Sequence, residues 1–259
     1  MLLIVASILV LMFLNLVLGS VSIPLKSVWN IICGLGDEPV TWQNIVWKSR
    51  LPQALTALVA GAGLAISGLQ MQTVFRNPLA GPSVLGISSG ASMGVAFVVL
   101  LSGSLGGVAL SKLGFMGEIA LSIAAVIGSL SVMALIVYVS QKVKGNVTLL
   151  IIGVMIGYVA NAVIGVLKFF SVEEDIRAYV IWGLGSFSRV SGNQMMLFVV
   201  IMAILIPLSF LLIKTLNLML LGDGYARNLG LNIKRARLLV ITSAGCLLYT
   251  SDAADDLIG

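Results

Sequence analysis

The chain has 259 residues, 59% of them hydrophobic and only 10% charged, with a mean hydropathy of +1.12. A soluble domain carries about 25% charged residues, so this composition cannot cover a globule with polar surface and describes an integral membrane protein. There is no His, which removes the commonest general base and metal ligand, and basic residues flanking membrane spans account for the net charge of +5 better than a nucleic-acid partner does.

A hydrocarbon core about 30 Å thick needs roughly 20 apolar residues per crossing, and no period-two alternation suggests a barrel. The first apolar run, about residues 1–19, lacks a basic n-region and a clean small-x-small cleavage site, so it reads as a span rather than a signal peptide. Cys33 and Cys246 are far apart, form no ligand pattern and read as unpaired thiols. The second span, about 52–73, carries Ala57, Gly61 and Ala65 on one face, a spacing that lets helices pack backbone to backbone.

The stretch "VFRNPLAGPSVLGISSGASMG" (74–94) then interrupts the apolar pattern. Pro78 and Pro82 remove backbone donors and bias the preceding residues away from helix. Two readings stand: an ordinary loop, or a broken backbone packed inside a bundle or beside a translocation path, where such breaks are tolerated at membrane depth.

Further spans are expected at about 83–102, 116–140, 148–169 and 194–217, with a seventh opening near Leu238. Gly153 and Gly157 form a G-x-x-x-G in the fifth, and Asn161 there reads as an interhelical hydrogen bond. The fold class is all-α integral membrane: a polytopic helical bundle of about six full spans plus the start of a seventh.

With the N-terminus cytoplasmic, the inner loops hold Arg76, Lys142, Lys144, Lys214, Arg227, Lys234, Arg235 and Arg237 against the single acid Asp223. The outer segments hold Lys26, Lys48, Arg50, Lys112, Lys168, Arg177 and Arg189, offset by Asp37, Glu38, Glu118, Glu173, Glu174 and Asp175. The positive-inside bias is slight but favours this orientation.

The outer stretch 169–192 carries Phe169, Phe170, Tyr179, Trp182 and Phe187, read as an interfacial aromatic belt. On the inner side, "LGDGYARNLGLNIKRARLLVITSAG" (221–245) follows the sixth span. Gly222 can end that helix, Asp223 can cap a short helix that stops at Gly230, and Asn232 can start the next. Two readings of the segment stand: a surface that a partner pushes on, or a basic anchor facing anionic lipid.

The span centres hold almost no ionisable side chains, which disfavours a proton-driven carrier. No His, paired carboxylates or Cys pair converges, so the chain does not read as an enzyme, and no cofactor or metal is expected. What remains is a conduit whose energy comes from outside its own spans, a permease with a separate motor. The alternative is an ion-coupled secondary transporter that uses the broken helix around Pro82 to Gly90 as its site.

"RLPQALTALVAGAGLAISGLQMQTVFRNPLAGPSVLGISSGASMG" and "LGDGYARNLGLNIKRARLL" resemble, in order and separation over roughly residues 1–245, the signature segments of the FecCD family. These are permease subunits of bacterial ABC importers for iron–siderophore, haem and vitamin B12. The resemblance implies a dimer, homodimer or close heterodimer, of ten-span subunits in the bacterial inner membrane, with the path along the subunit interface. It also implies two cytoplasmic ABC ATPase subunits, where ATP hydrolysis would reside, and an extracytoplasmic substrate-binding protein. It gives ATPase coupling to Gly222, Asp223, Ala226, Arg227, Leu229 and Gly230, within a coupling segment of about 221–237. It makes Arg76, Asn77 and Pro78 a cytoplasmic turn by the gate, and Arg50 a docking charge for the binding protein. Family members often have Glu at the position of Asp223, and often a second Arg where Gln53 stands; a snorkelling interfacial Arg50 is the other reading. Gly61, Gly153 and Gly157 serve helix packing. The family pattern continues for four more spans, whereas residues 246–259, "CLLYTSDAADDLIG", do not resemble what should follow and are expected to be an unrelated tail after a permease portion of 1–245.

Overall fold

A computed structural model of the chain describes residues 2–19, 21–35, 38–104, 115–143, 145–185 and 192–256. Asp37, Lys112, Lys144, Phe187 and Arg189 lie outside the described residues. The described residues are helical, with no strand among them.

Helix α1 (Leu2–Val17) is followed by the short α2 (Leu25–Cys33) and α3 (Val40–Ile45). A π-helical turn, Val46–Arg50, joins α3 without a break to α4 (Leu51–Phe75). A 3₁₀ turn, Pro82–Leu85, leads into α5 (Ile87–Ser104), and α6 (Phe115–Lys142) and α7 (Asn146–Phe170) come next. After α8 (Glu173–Gly183) come α9 (Gly192–Phe210), α10 (Ile213–Leu220), α11 (Asp223–Asn228) and α12 (Ile233–Asp256).

Among the described residues, three helices are long and apolar enough to cross a membrane: the continuous α3–α4 unit, α6 and α7. The α9–α10 pair qualifies as a fourth if taken as one span bent by 47°. The sixth span expected at about 194–217 falls on this bent pair. Pro207 withholds an N–H one turn before the break, and Leu211 and Leu212 close α9 with tight bonds to the Leu208 and Ser209 carbonyls. Helices α1 and α5 are apolar but shorter. The expected onset of the last helix near Leu238 moves back to Ile233, because the Asn232 Oδ1 accepts the Arg235 N–H and caps the first turn.

Lipid tails are as apolar as leucine, so burial alone does not draw these helices together; close van der Waals approach and hydrogen bonds do. The tightest approach is α5 on α6. A Cβ at Gly94 would sit 2.2 Å from the Ala124 carbonyl oxygen, and one at Gly128 would sit 2.2 Å from that of Gly90. Between α4 and α12, the buried Ser67 hydroxyl donates to the Ala244 carbonyl at 2.9 Å, and the Gln70 amide donates to the Ser243 hydroxyl at 3.2 Å. At the Arg76 end of α4, Met71, Val74, Leu85, Ile136, Leu149 and Ile241 form one buried cluster that joins α4, α6, α7, α12 and the 3₁₀ turn. Helix α12 continues through residues 245 and 246 without a break, and Leu247 is buried beside Ala60, Phe198 and Met202.

Two expectations about small and aromatic residues are corrected. Gly61 faces open space, so α4 packs through its other side while the Ala57–Gly61–Ala65 face stays exposed. Tyr179 and Trp182 are not belt residues: α8 lies along α5, and both rings are buried beside Val95, Val99 and Ile164. Phe169 and Phe170 are exposed, as a belt requires.

Candidate functional site: the Arg76 turn and helix α11

Helix α4 ends where Arg76 takes the left-handed conformation (φ 48, ψ 40). Its N–H bonds the Thr73 carbonyl and the Asn77 N–H bonds that of Gln72, the pairing of a Schellman motif. That position usually falls to Gly. Arg76 is the one non-glycine residue with positive φ among the described residues, at a cost of roughly 1–2 kcal/mol. Asn77 then turns the chain. Its Oδ1 accepts the Leu79 N–H at 3.0 Å and its carbonyl accepts the Ala80 N–H. Pro78 needs no donor there, and Leu79 projects from the turn, 89% exposed.

Helix α11 is a six-residue unit between two glycine joints. Gly222 (φ 107) separates it from α10. Gly230 (φ 86) ends it with its N–H on the Arg227 carbonyl, while the Leu231 N–H reaches Ala226. Asp223 does not cap the helix as expected: it is the first helical residue, no side-chain cap is present, and its carboxylate points elsewhere. Ala226 is fully buried and holds α11 to the bundle, whereas Tyr225 and Leu229 are 72% and 61% exposed. Arg227 lines a hollow of about 310 Å³ with Leu231, Asn232, Ile233 and Lys234, where α11 meets α12.

The two segments meet through charge. The Asp223 Oδ1 accepts from the Arg76 Nη2 at 2.5 Å, across 147 residues of sequence. The Asp223 Oδ2 lies 3.9 Å from the Nη2 of Arg237, a buried side chain on α12. Nothing in the sequence marks Arg237 as the third member. It looks like one more residue of a basic run, and only the α12 helical register turns it inward.

Beyond the turn, the chain reaches α7. A Cβ on Gly153 would sit 2.8 Å from the Val84 carbonyl oxygen, and one on Gly86 would sit 3.0 Å from that of Gly153. The close approach expected of Gly153 and Gly157 is therefore made to the 3₁₀ turn and the start of α5. A hollow of about 190 Å³ opens beside it, lined by Ser83, Ser89, Tyr158 and Asn161 among others. Among the described residues, no group of three or more Cys, Asp or Glu gathers as a metal site would need.

Arg50 lies at the other end of α4 and is corrected. It is only 5% exposed. Its guanidinium donates to the carbonyls of Leu16 and Val17 at 2.8 Å each, and to that of Val21. The π-helical turn brings it there, and Gly19 leaves the room: a Cβ at that position would sit 2.8 Å from the Arg50 Nη2. In this structure Arg50 is thus a cap on the C-terminal end of α1, where cations are favoured, and is not presented to a partner. Also away from the turn, Asp175 on α8 is buried, and its Oδ2 finds no hydrogen-bond donor. Burial, and next the neighbouring Glu174 charge, push its carboxyl above the usual range.

The FecCD transport family model matches residues 7–254, past the boundary expected at 245. The hemin transport system permease protein HmuU of Yersinia pestis is 34% identical over 247 residues, covering 93% of this chain and 69% of that protein. The vitamin B12 import system permease protein BtuC of Serratia proteamaculans is 35% identical over 218 residues, covering 84% of this chain and 62% of that protein. A solved metal-chelate type ABC transporter in an inward-facing conformation superposes with a TM-score of 0.77 at 26% identity, covering 95% of this chain and 72% of that one.

Proposed function

This chain belongs to the FecCD transport family, and on that premise we propose that it is the permease portion of a binding-protein-dependent ABC importer for a metal chelate or corrinoid. The relatives are named for hemin and for vitamin B12, which supports a bulky macrocyclic or chelated cargo. The protein sits in the bacterial inner membrane with its N-terminus cytoplasmic. It pairs with a second permease subunit and receives cargo from an extracytoplasmic binding protein.

The observation that carries the mechanism is the meeting of the Arg76 turn with α11 at one end of the bundle. Tyr225, Leu229 and Leu79 present exposed apolar side chains on these two segments, which suits a protein partner better than water. We assign that partner as the ATPase subunits. Helix α11 receives their movement, and Arg76, Asn77 and Pro78 pass it to the 3₁₀ turn and thence to α7. The walls need no proton relay, because the work is done by nucleotide hydrolysis outside the membrane.

The test is uptake into vesicles that hold the permease, its ATPase and its binding protein, with haem, a ferric siderophore and cobalamin as cargoes. Uptake should require ATP and the binding protein and should persist with an ionophore present; uptake that an ionophore abolishes, without need for ATP, overturns the assignment. Replacing Arg76 or Asn77 should leave ATP hydrolysis running while uptake falls. Unchanged transport in both variants removes the turn from the coupling path.

A further inference from the structure

Helix α11 hangs between two glycine joints. Its two joints, Gly222 and Gly230, both have positive φ, and neither Cβ position has a neighbour within 4 Å. A push on so short a unit can be absorbed by rotation at the joints before it reaches the bundle. The buried Ala226 methyl and the Asp223 carboxylate both oppose that. Of the two, the carboxylate reaches across to other segments by charge, to Arg76 on the α4–α5 turn and to Arg237 on α12.

Energetics argue that the Arg76–Asp223 pair is not kept for stability. The Arg76 and Asp223 side chains are 39% and 40% exposed. An ion pair so hydrated contributes about 0–1 kcal/mol and is screened by salt. Arg76 meanwhile occupies a left-handed position that favours Gly, at about 1–2 kcal/mol. On stability alone Gly would be the better residue at 76. What Arg adds is reach, because from that position the side chain spans to α11.

We propose that Asp223 is the positioning residue that fastens α11 to the Arg76 turn and to α12, so that displacement of α11 moves the 77–86 segment instead of being taken up at Gly222 and Gly230. The contact path is continuous: Asp223 to Arg76, the Asn77–Ala80 turn, the Pro82–Leu85 3₁₀ turn, and the Gly153 backbone of α7. This rests on α11 being the surface a motor acts on, but the tether is measurable with no motor present.

The experiment uses the full chain in lipid nanodiscs, with Cys33→Ser and Cys246→Ser in the background and spin labels at Leu79→Cys and Tyr225→Cys. Both label positions are exposed. Pulsed EPR should give a narrow distance distribution between turn and helix. Asp223→Asn and Arg76→Gly should broaden it about twofold, whereas Asp223→Glu should keep it narrow. Salt at 1 M should broaden the parent distribution and leave that of Asp223→Asn unchanged. The thermal midpoint of Arg76→Gly should hold or rise, because relief of the left-handed strain outweighs the hydrated pair; a clear fall would show that the pair is kept for stability. An equally narrow distribution in Asp223→Asn overturns the tether. Failure of α11 to contact an ATPase, with these distances as expected, would instead count against the functional assignment alone.

Discussion

At the scale of single residues, Arg50 shows how a charge can be read wrongly from its neighbours in sequence. Its place before Leu51 and Pro52 suggests an outward docking charge, but the guanidinium closes the end of α1. Hydrogen bonds from a charged donor contribute about 1.5–3 kcal/mol each. Arg50→Met should therefore lower the thermal midpoint, with a loss of about 2 kcal/mol. A docking charge would behave differently: the variant would keep its stability and lose only association with the binding protein.

Asp175 gives a second residue-level expectation. Its carboxyl titrates above the ordinary 3.8 because it is buried, so the folded chain holds that proton more tightly than the unfolded chain does. The contribution is fully present below 3.8, and stability falls as pH rises from there through the raised value. Asp175→Asn should remove this slope. It should raise the thermal midpoint at neutral pH and change little near pH 3. Identical pH profiles for variant and parent would show that the burial carries no such cost.

At the scale of elements, hydropathy is a good guide to existence and a poor one to detail. The span expected at 52–73 is α4 within two residues at each end, because its apolar run is long and bounded by Pro52 and the Arg76–Asn77–Pro78 turn. The π-helical join to α3 is not legible, since Val46–Arg50 carries no breaker to announce an altered register. Nor is the packing of α8 on α5, because Tyr179 and Trp182 look the same whether they meet lipid or protein. Small residues behave alike. Gly61 and Gly128 are each a glycine in an apolar helix, but only Gly128 has a backbone against it. Gly128→Val or Gly94→Val should prevent α5 from seating on α6, beyond the 1–3 kcal/mol typical of overpacking, because a backbone carbonyl must move. Gly61→Val should leave the stability of this chain within about 0.5 kcal/mol. Thermal midpoints in detergent decide both, and equal losses at 61 and 128 would contradict the packing described.

At the scale of the molecule, membrane residence, helical class and family were legible, because they rest on composition and on two long motifs. The join between those motifs was not. Arg76 and Asp223 belong to separate motifs, and neither motif names the other as its contact. Arg237 hides in a basic run that reads equally well as a lipid anchor. The picture is of a bundle with almost no charge in its span centres and one small charged junction where a short helix hangs between glycine joints. On the function proposed above, that junction is where a motor would act.

The most direct measurement is site-specific photocross-linking from Tyr225 on α11 in membranes that also contain the ATPase. A cross-link to the ATPase is expected from Tyr225 and from Leu79, and none from Trp29 on α2. Cross-links from Trp29 with none from Tyr225 or Leu79 would contradict the account.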